Sequence, residues 1–144
     1  MDNTKQQVCI LIDFENLIYG LSNLYNEDEL MDKVDIDVLF SLADMLRSTE
    51  RGIYVTRFHY TRPVEPKQVV ITGMTRDGTF LIENGELAYP VKNLRFTQSY
   101  LEALNHVGLI GAEPRMLPGL GGLGHDSVPA LKLNKFRFTG VTEF

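Results

Sequence analysis

The sequence predicts an α+β domain: an N-terminal strand and two helices, then a mostly antiparallel β-sheet of about five or six strands with one short helix. Three observations predict it. Residues 73–96, GMTRDGTFLIENGELAYPVKNLRF, hold Asn84-Gly85 between two β-rich runs. Asn-Gly is the strongest short hairpin cue, because a type I′ turn needs φ > 0 at both central positions. Second, the apolar spacing changes from helical to alternating after Gly52. Third, QVCILID at residues 7–13 reads as a buried strand that runs directly into a helical pattern.

In order, the opening strand ends at Asp13, and Phe14-Glu15-Asn16 begins a helix with Leu17, Leu21 and Leu24 as apolar positions. Strand then helix is the first half of a βα unit, and open α/β sheets place ligands at such strand ends. Asp35 or Asp37 is the expected cap of a second helix carrying Val38, Leu39, Leu42, Ala43 and Leu46, with Gly52 as its stop. Residues 53–60 form a strand, with Ile53, Val55, Arg57 and His59 on one face and Tyr54, Thr56, Phe58 and Tyr60 on the other. Residues 62–67 are a loop and residues 68–72 a further strand. Asp77-Gly78 marks a turn before the hairpin. Pro90 cannot donate to a ladder, so the returning strand is expected to be an edge or to bend outward there. Ser99 and Glu102 have capping-box spacing, and a short helix follows them. A glycine-rich loop at 118–126 then leads to strand residues 128–138, where Leu131, Leu133 and Lys135 alternate with Lys132, Asn134 and Phe136.

The chain has 144 residues, enough for one domain or a domain with an appendage. No apolar run reaches the roughly 18 residues of a membrane helix, and Met1-Asp2-Asn3-Thr4-Lys5 lacks the pattern of a signal peptide. One cysteine, Cys9, excludes an intrachain disulfide and any CxxC metal site. A cytoplasmic location is expected. Charge is unevenly divided: residues 1–50 hold 11 acidic and 3 basic residues, residues 51–144 hold 8 and 11, and the total is −5. A step of this size suggests two segments of different origin, although one acidic helical surface would produce it too.

Few residues carry chemistry. Asp13, with Glu15 and Asn16, could hold a hard divalent cation such as Mg or Mn, the ion of a metal-dependent nuclease. The plainer reading of Asp13 is a helix cap. His59, His106 and His125 match no HExxH spacing, and structural or surface roles suit them better. The glycine loop lacks GxxxxGK[ST] and precedes a strand, so it reads as a connection and not a phosphate cradle. Lys132, Lys135 and Arg137 alternate with Phe136 and Phe138. That pattern occurs on single-strand nucleic-acid surfaces, but a half-buried strand with a solvated face fits an acidic chain better.

Two resemblances divide the chain near residues 43–47. STERGIYVTRFHY (48–60), VVITGMTRDGTFLIENGELAYPVKNLRFTQSYLEAL (69–104) and VPALKLNKFRFTGVTEF (128–144) resemble the C-terminal domain of the TldD/PmbA family, the "modulator of DNA gyrase" metallopeptidase-related proteins. VCILIDFENLIYGLSNLY (8–25) resembles the opening of an NYN domain, a PIN-like nuclease fold whose motif reads ID-x-x-N. The resemblances imply residues 1–45 as an incomplete NYN-like βα opening and residues 46–144 as the C-terminal part of a TldD/PmbA-type domain. Asp13 would match the metal position of the NYN motif and Asn16 its binding amide. The first family implies a cytosolic two-subunit assembly. Its active members use zinc, held by HExxxH and a loop cysteine, against unfolded or peptide substrates. This chain has no HExxxH and no cysteine in residues 116–127. No catalytic residue carries over, and no cofactor is expected. The implied function is a module for subunit association or peptide handling, non-catalytic alone, with itself, a TldD/PmbA-type subunit or a peptide as partner. The alternative is an NYN-type nuclease or nucleic-acid binder.

Overall fold

The structure, a computed structural model, describes residues 7–11, 39–118 and 125–142. Its frame is one long hairpin. Strand β2 (Arg51–Glu65) and strand β3 (Val70–Glu83) pair antiparallel from Arg51↔Glu83 to Glu65↔Val70. Both are rich in β-branched and aromatic residues, which suit a pleated, half-buried surface. A short 3-10 turn, Pro66–Gln68, joins them, and Val69 follows it at φ 51.

The other strands attach on either side. Strand β1 (Gln7–Leu11) pairs parallel to β2 and antiparallel to β9 (Leu131–Phe136). Strand β6 (Val107–Ile110) pairs with β9. On its far side, β3 is shared. Its last residues pair with β4 (Glu86–Pro90) and its first with β5 (Leu94–Ser99), and β10 (Phe138–Val141) lies beyond β5. The sheet order is β10-β5-β3-β2-β1-β9-β6, with β4 as a branch on β3. Strands β7 (Arg115–Pro118) and β8 (His125–Val128) make a separate two-stranded sheet.

Where β3 passes from β4 to β5, buried threonines replace strand contacts. The Thr79 hydroxyl donates to Thr75 Oγ1 at 2.6 Å, and Thr75 Oγ1 accepts the Leu94 N–H at 2.9 Å. Val91 N–H bonds the Thr79 carbonyl at 2.8 Å. The backbone groups freed by the change of partner are thereby satisfied.

Strands β9 and β10 stand near opposite ends of this order, yet only Arg137 separates them. Two residue steps span at most about 7 Å. The sheet must therefore curl until β9 and β5–β10 meet. Phe58 of β2, Phe96 of β5 and Phe136 of β9 fill the space inside, with centroids 4.3, 5.5 and 5.4 Å apart. All three are buried, together with Ile53, Val55, Ile71, Leu81, Leu131 and Leu133. Helix α2 (Tyr100–Leu104) contributes Tyr100 and Ala103. Gln98 fastens the junction: its Oε1 accepts the Arg137 N–H at 3.1 Å and its Nε2 donates to Glu102 at 3.3 Å. Gly73 faces Phe96 across the ladder, and a Cβ there would stand 2.8 Å from the ring. Only glycine admits the aromatic ring.

Helix α1 (Leu42–Arg47) covers the opposite face through Met45, which packs with Tyr54, Ile82 and Ala130. Ser41 is its N-cap, accepting the Asp44 N–H at 3.1 Å. Ser48 ends it, so Gly52 is not the stop; Gly52 lies inside β2, opposite Val8 and Ile82. The helix is also shorter than its apolar spacing suggests, because Phe40 is held in a parallel bridge to Gly111. Asp35, Asp37 and the helix expected after Asp13 lie outside the described residues.

The antiparallel character is as expected, but the described residues form nine strands after β1, not five or six. Four further corrections involve bulges. Asp77-Gly78 is not a turn; it is a bulge inside β3, with φ of 62 and 141, set against Thr56. The Thr56 hydroxyl bonds the carbonyls of Arg76 and Gly78 at 3.1 and 3.0 Å. Opposite this bulge the alternation of β2 breaks: Phe58 joins Val55 in the core while Arg57 turns outward. In β9 a second shift brings Phe136 onto the side of Leu133. Residues 68–72 are not a separate strand, since β3 runs on through the bulge.

The hairpin turn forms as the sequence requires, with Asn84 at φ 51 and Gly85 at φ 83. Its N–H groups bond the carbonyls of Glu50 and Thr49 at 2.7 and 3.0 Å, docking the turn on the segment after α1. A Cβ on Gly85 would lie 3.0 Å from Arg47 Cα. Gly85→Val is expected to lose about 1–3 kcal/mol, through the left-handed φ and that contact. An unchanged urea midpoint would contradict the turn assignment.

Candidate functional site

The cation candidates of the sequence, Asp13 and Asn16 with Glu15, lie outside the described residues. His59 is half-buried on β2, with its ring 5.2 Å from that of Tyr60. His106 is held in the turn after α2, its N–H bonded to Ala103 O and its carbonyl accepting from Asn134 N. His125 pairs opposite Pro118 at the open end of the β7–β8 hairpin, where the glycine-rich segment connects the two strands. Among the described residues, no three His, Cys, Asp or Glu side chains form a metal-binding group. The zinc that the resemblance implies therefore finds no donor set in them.

The C-terminal basic strand resolves into separate roles. Lys132 is buried at 7% exposure under α1. Its Nζ donates to the Ser48 carbonyl at 2.8 Å and to Ser48 Oγ at 2.9 Å, capping the C-terminal end of that helix. Burial holds the ammonium below the ordinary lysine range. Phe136 is in the core and Phe138 packs partly against it, while Lys135 and Arg137 face solvent. The strand is half-buried, as its sequence pattern indicates.

The feature that invites a partner is the edge at β4. All five residues, Glu86–Pro90, are exposed, including Leu87 at 44% and Tyr89 at 55%. Strand β4 pairs with β3 on one side, and among the described residues no strand pairs with the other. An unpaired edge is a template for a further strand. Three features limit how far such a strand could extend: Pro90, the charge of Glu86, and the register shift opposite Leu81 and Ile82. The edge role follows from Pro90, as the sequence indicates; the exposed Leu87 and Tyr89 were not legible there.

The fold and its open edge define a class: a curled, mostly antiparallel β-domain carrying short helices and an accessible strand. The family is narrower. The sequence pattern of the PmbA/TldA metallopeptidase C-terminal domain matches residues 15–140, and the chain belongs to that family. It is 28% identical over 112 residues to a metalloprotease TldD homolog of Buchnera aphidicola, covering 69% of this chain and 22% of that protein. The fold is that of TldE from Thermococcus kodakarensis, with TM-score 0.59 and 20% identity over 69% of this chain and 22% of that one. A candidate modulator of DNA gyrase from Bacteroides thetaiotaomicron shares it as well, with TM-score 0.56 and 24% identity over 70% and 21% of the two chains. The chain spans about a fifth of the length of the relatives it matches. No helix among the described residues is long and apolar enough to cross a membrane.

The Lys132 cap is testable. Lys132→Met keeps the aliphatic stem and removes both hydrogen bonds to Ser48. A loss of about 1–3 kcal/mol is expected, in the range of hydrogen bonds to charged groups. A denaturation midpoint equal to the parent's would show that the contact contributes nothing.

Proposed function

We propose that this chain is the C-terminal module of a TldD/PmbA-type protein and acts in subunit association or peptide handling, without hydrolysing peptides by itself. The observation that carries the reading is the β4 edge, which offers unpaired backbone groups with Leu87 and Tyr89 beside them. An added strand gains affinity from main-chain hydrogen bonds and specificity from alternate side chains. The occupant on this reading is an extended segment of a second copy, of a TldD/PmbA-type subunit, or of a peptide. The proposed division of the chain is an NYN-like opening over residues 1–45 and the family's tail over 46–144. In that arrangement β1, from the opening, stands in the middle of the sheet. The same reading puts the protein in the cytoplasm, supported by its single cysteine.

The sequence lacks HExxxH and the loop cysteine. The isolated chain is accordingly expected to show no chelator-sensitive cleavage of unfolded casein. Cleavage that a chelator abolishes and zinc restores would overturn the non-catalytic reading.

The edge has its own test. Leu87→Lys with Tyr89→Lys places charges that oppose edge-to-edge pairing. By sedimentation at micromolar concentrations the parent is expected to assemble or to bind an extended peptide, and the double variant to do neither while keeping its circular dichroism. A parent that is strictly monomeric and binds no peptide would refute the role of β4.

A further inference from the structure

The outer face of β2, β3 and β5 carries arginines that the edge reading does not use. Across the ladder Arg57 stands opposite Arg76, Met74 stands opposite both His59 and Arg95, and Thr72 stands opposite both Arg62 and Thr97. Opposed residues share a face, as do residues two apart on one strand. The register therefore sets Arg57, Arg76, Arg95 and Arg62 together, on the face away from Phe58, Phe96 and Ile71. All four are exposed.

Like charges directly opposite each other destabilise a sheet. Asp77 offsets part of this, paired with Arg57 and 3.9 Å from Arg76. Glu65, at the far end of the rows, accepts the Lys67 N–H at 3.3 Å. Two carboxylates against four guanidiniums leave the face positive, on a chain whose net charge is −5. Beside Arg95, β10 brings Gly140, where an added Cβ would meet nothing within 4 Å. Tyr60 lies at the bulge between His59 and Arg62 and is 76% exposed.

We propose that this face binds single-stranded nucleic acid through its phosphates. Guanidinium groups fork onto phosphate oxygens. Successive rows are about 6.8 Å apart along the strands. That spacing lays the arginines out as a track for an extended phosphodiester backbone, not as a clasp for one anion. Tyr60 supplies a ring on which a base can stack. An acidic polypeptide would use the same charges but has no use for that ring, and this favours nucleic acid. The proposal does not depend on the β4 edge.

The test is fluorescence anisotropy of a labelled oligodeoxythymidine titrated with the full chain at several salt concentrations. Arg57→Gln with Arg76→Gln and Arg95→Gln is expected to weaken binding by roughly tenfold or more and to lower the salt slope by about 2. Asp77→Asn frees two arginines, and asparagine tolerates the left-handed backbone there, so binding should tighten. Tyr60→Ala should weaken binding, and Lys135→Gln on β9 should leave it unchanged. If the triple variant fails to fold, Asp77→Asn and Tyr60→Ala decide. No binding by the parent at low salt, or no response to Asp77→Asn, overturns the proposal. So does displacement of the oligonucleotide by polyglutamate together with no effect of Tyr60→Ala, which would assign the face to an acidic polypeptide.

Discussion

The packing of Phe136, stacked on Phe58 and edge-on to Phe96, is the contact on which the rest of the sheet depends. It joins β5, β2 and β9, which are not neighbours: one strand separates each from the next in the order. With one residue between β9 and β10, the chain can reach β5 only if the sheet curls, and the curl persists only if something fills its inside. Three aromatic rings do so, and Gly73 leaves the room they need. The bulges in β3 and β9 belong to the same device. The bulge in β9 shifts that strand's alternation by a step, bringing Phe136 inward, and each bulge adds local twist.

What curling does not cover is where function can reside. The branch at β3 leaves β4 with one paired side, because β5 takes the first residues of β3 and β10 extends β5 instead of β4. The buried threonines Thr75 and Thr79 hold that branch point. The outward turn of Arg57 at the bulge also creates the arginine rows. At the level of the Asp77-Gly78 bulge the sheet thus carries core on one face and charge on the other. The chain belongs to the PmbA/TldA C-terminal domain family and matches about a fifth of its relatives' length.

Local features were legible in the sequence. Asn84-Gly85 forms its turn, Ser99 caps α2 with its hydroxyl accepting the Glu102 N–H, and β4 is an edge as Pro90 requires. Each rests on backbone preferences within a few residues. Features set by distant partners were not legible. Asp-Gly suits a turn and a bulge equally, and only pairing with Thr56 decides between them. Strict alternation set Arg57 and His59 beside Val55, whereas β2 breaks it between Val55 and Phe58, so the arginine face could not be seen. Lys132 read as a solvated charge, because its partner Ser48 lies 84 residues away. Asp13 and Asn16 lie outside the described residues, so the sequence alone speaks for them.

The central claim is that the sheet closes on its aromatic core and leaves β4 open. Residue-resolved hydrogen exchange tests it most directly, because protection reports local opening strand by strand. Amides paired in β2, β3, β5 and β9 should exchange only with global unfolding, and those of β4 that face away from β3 should exchange rapidly. Protection across β4 equal to that of β3, or rapid exchange in the strands carrying Phe58, Phe96 and Phe136, would contradict the account.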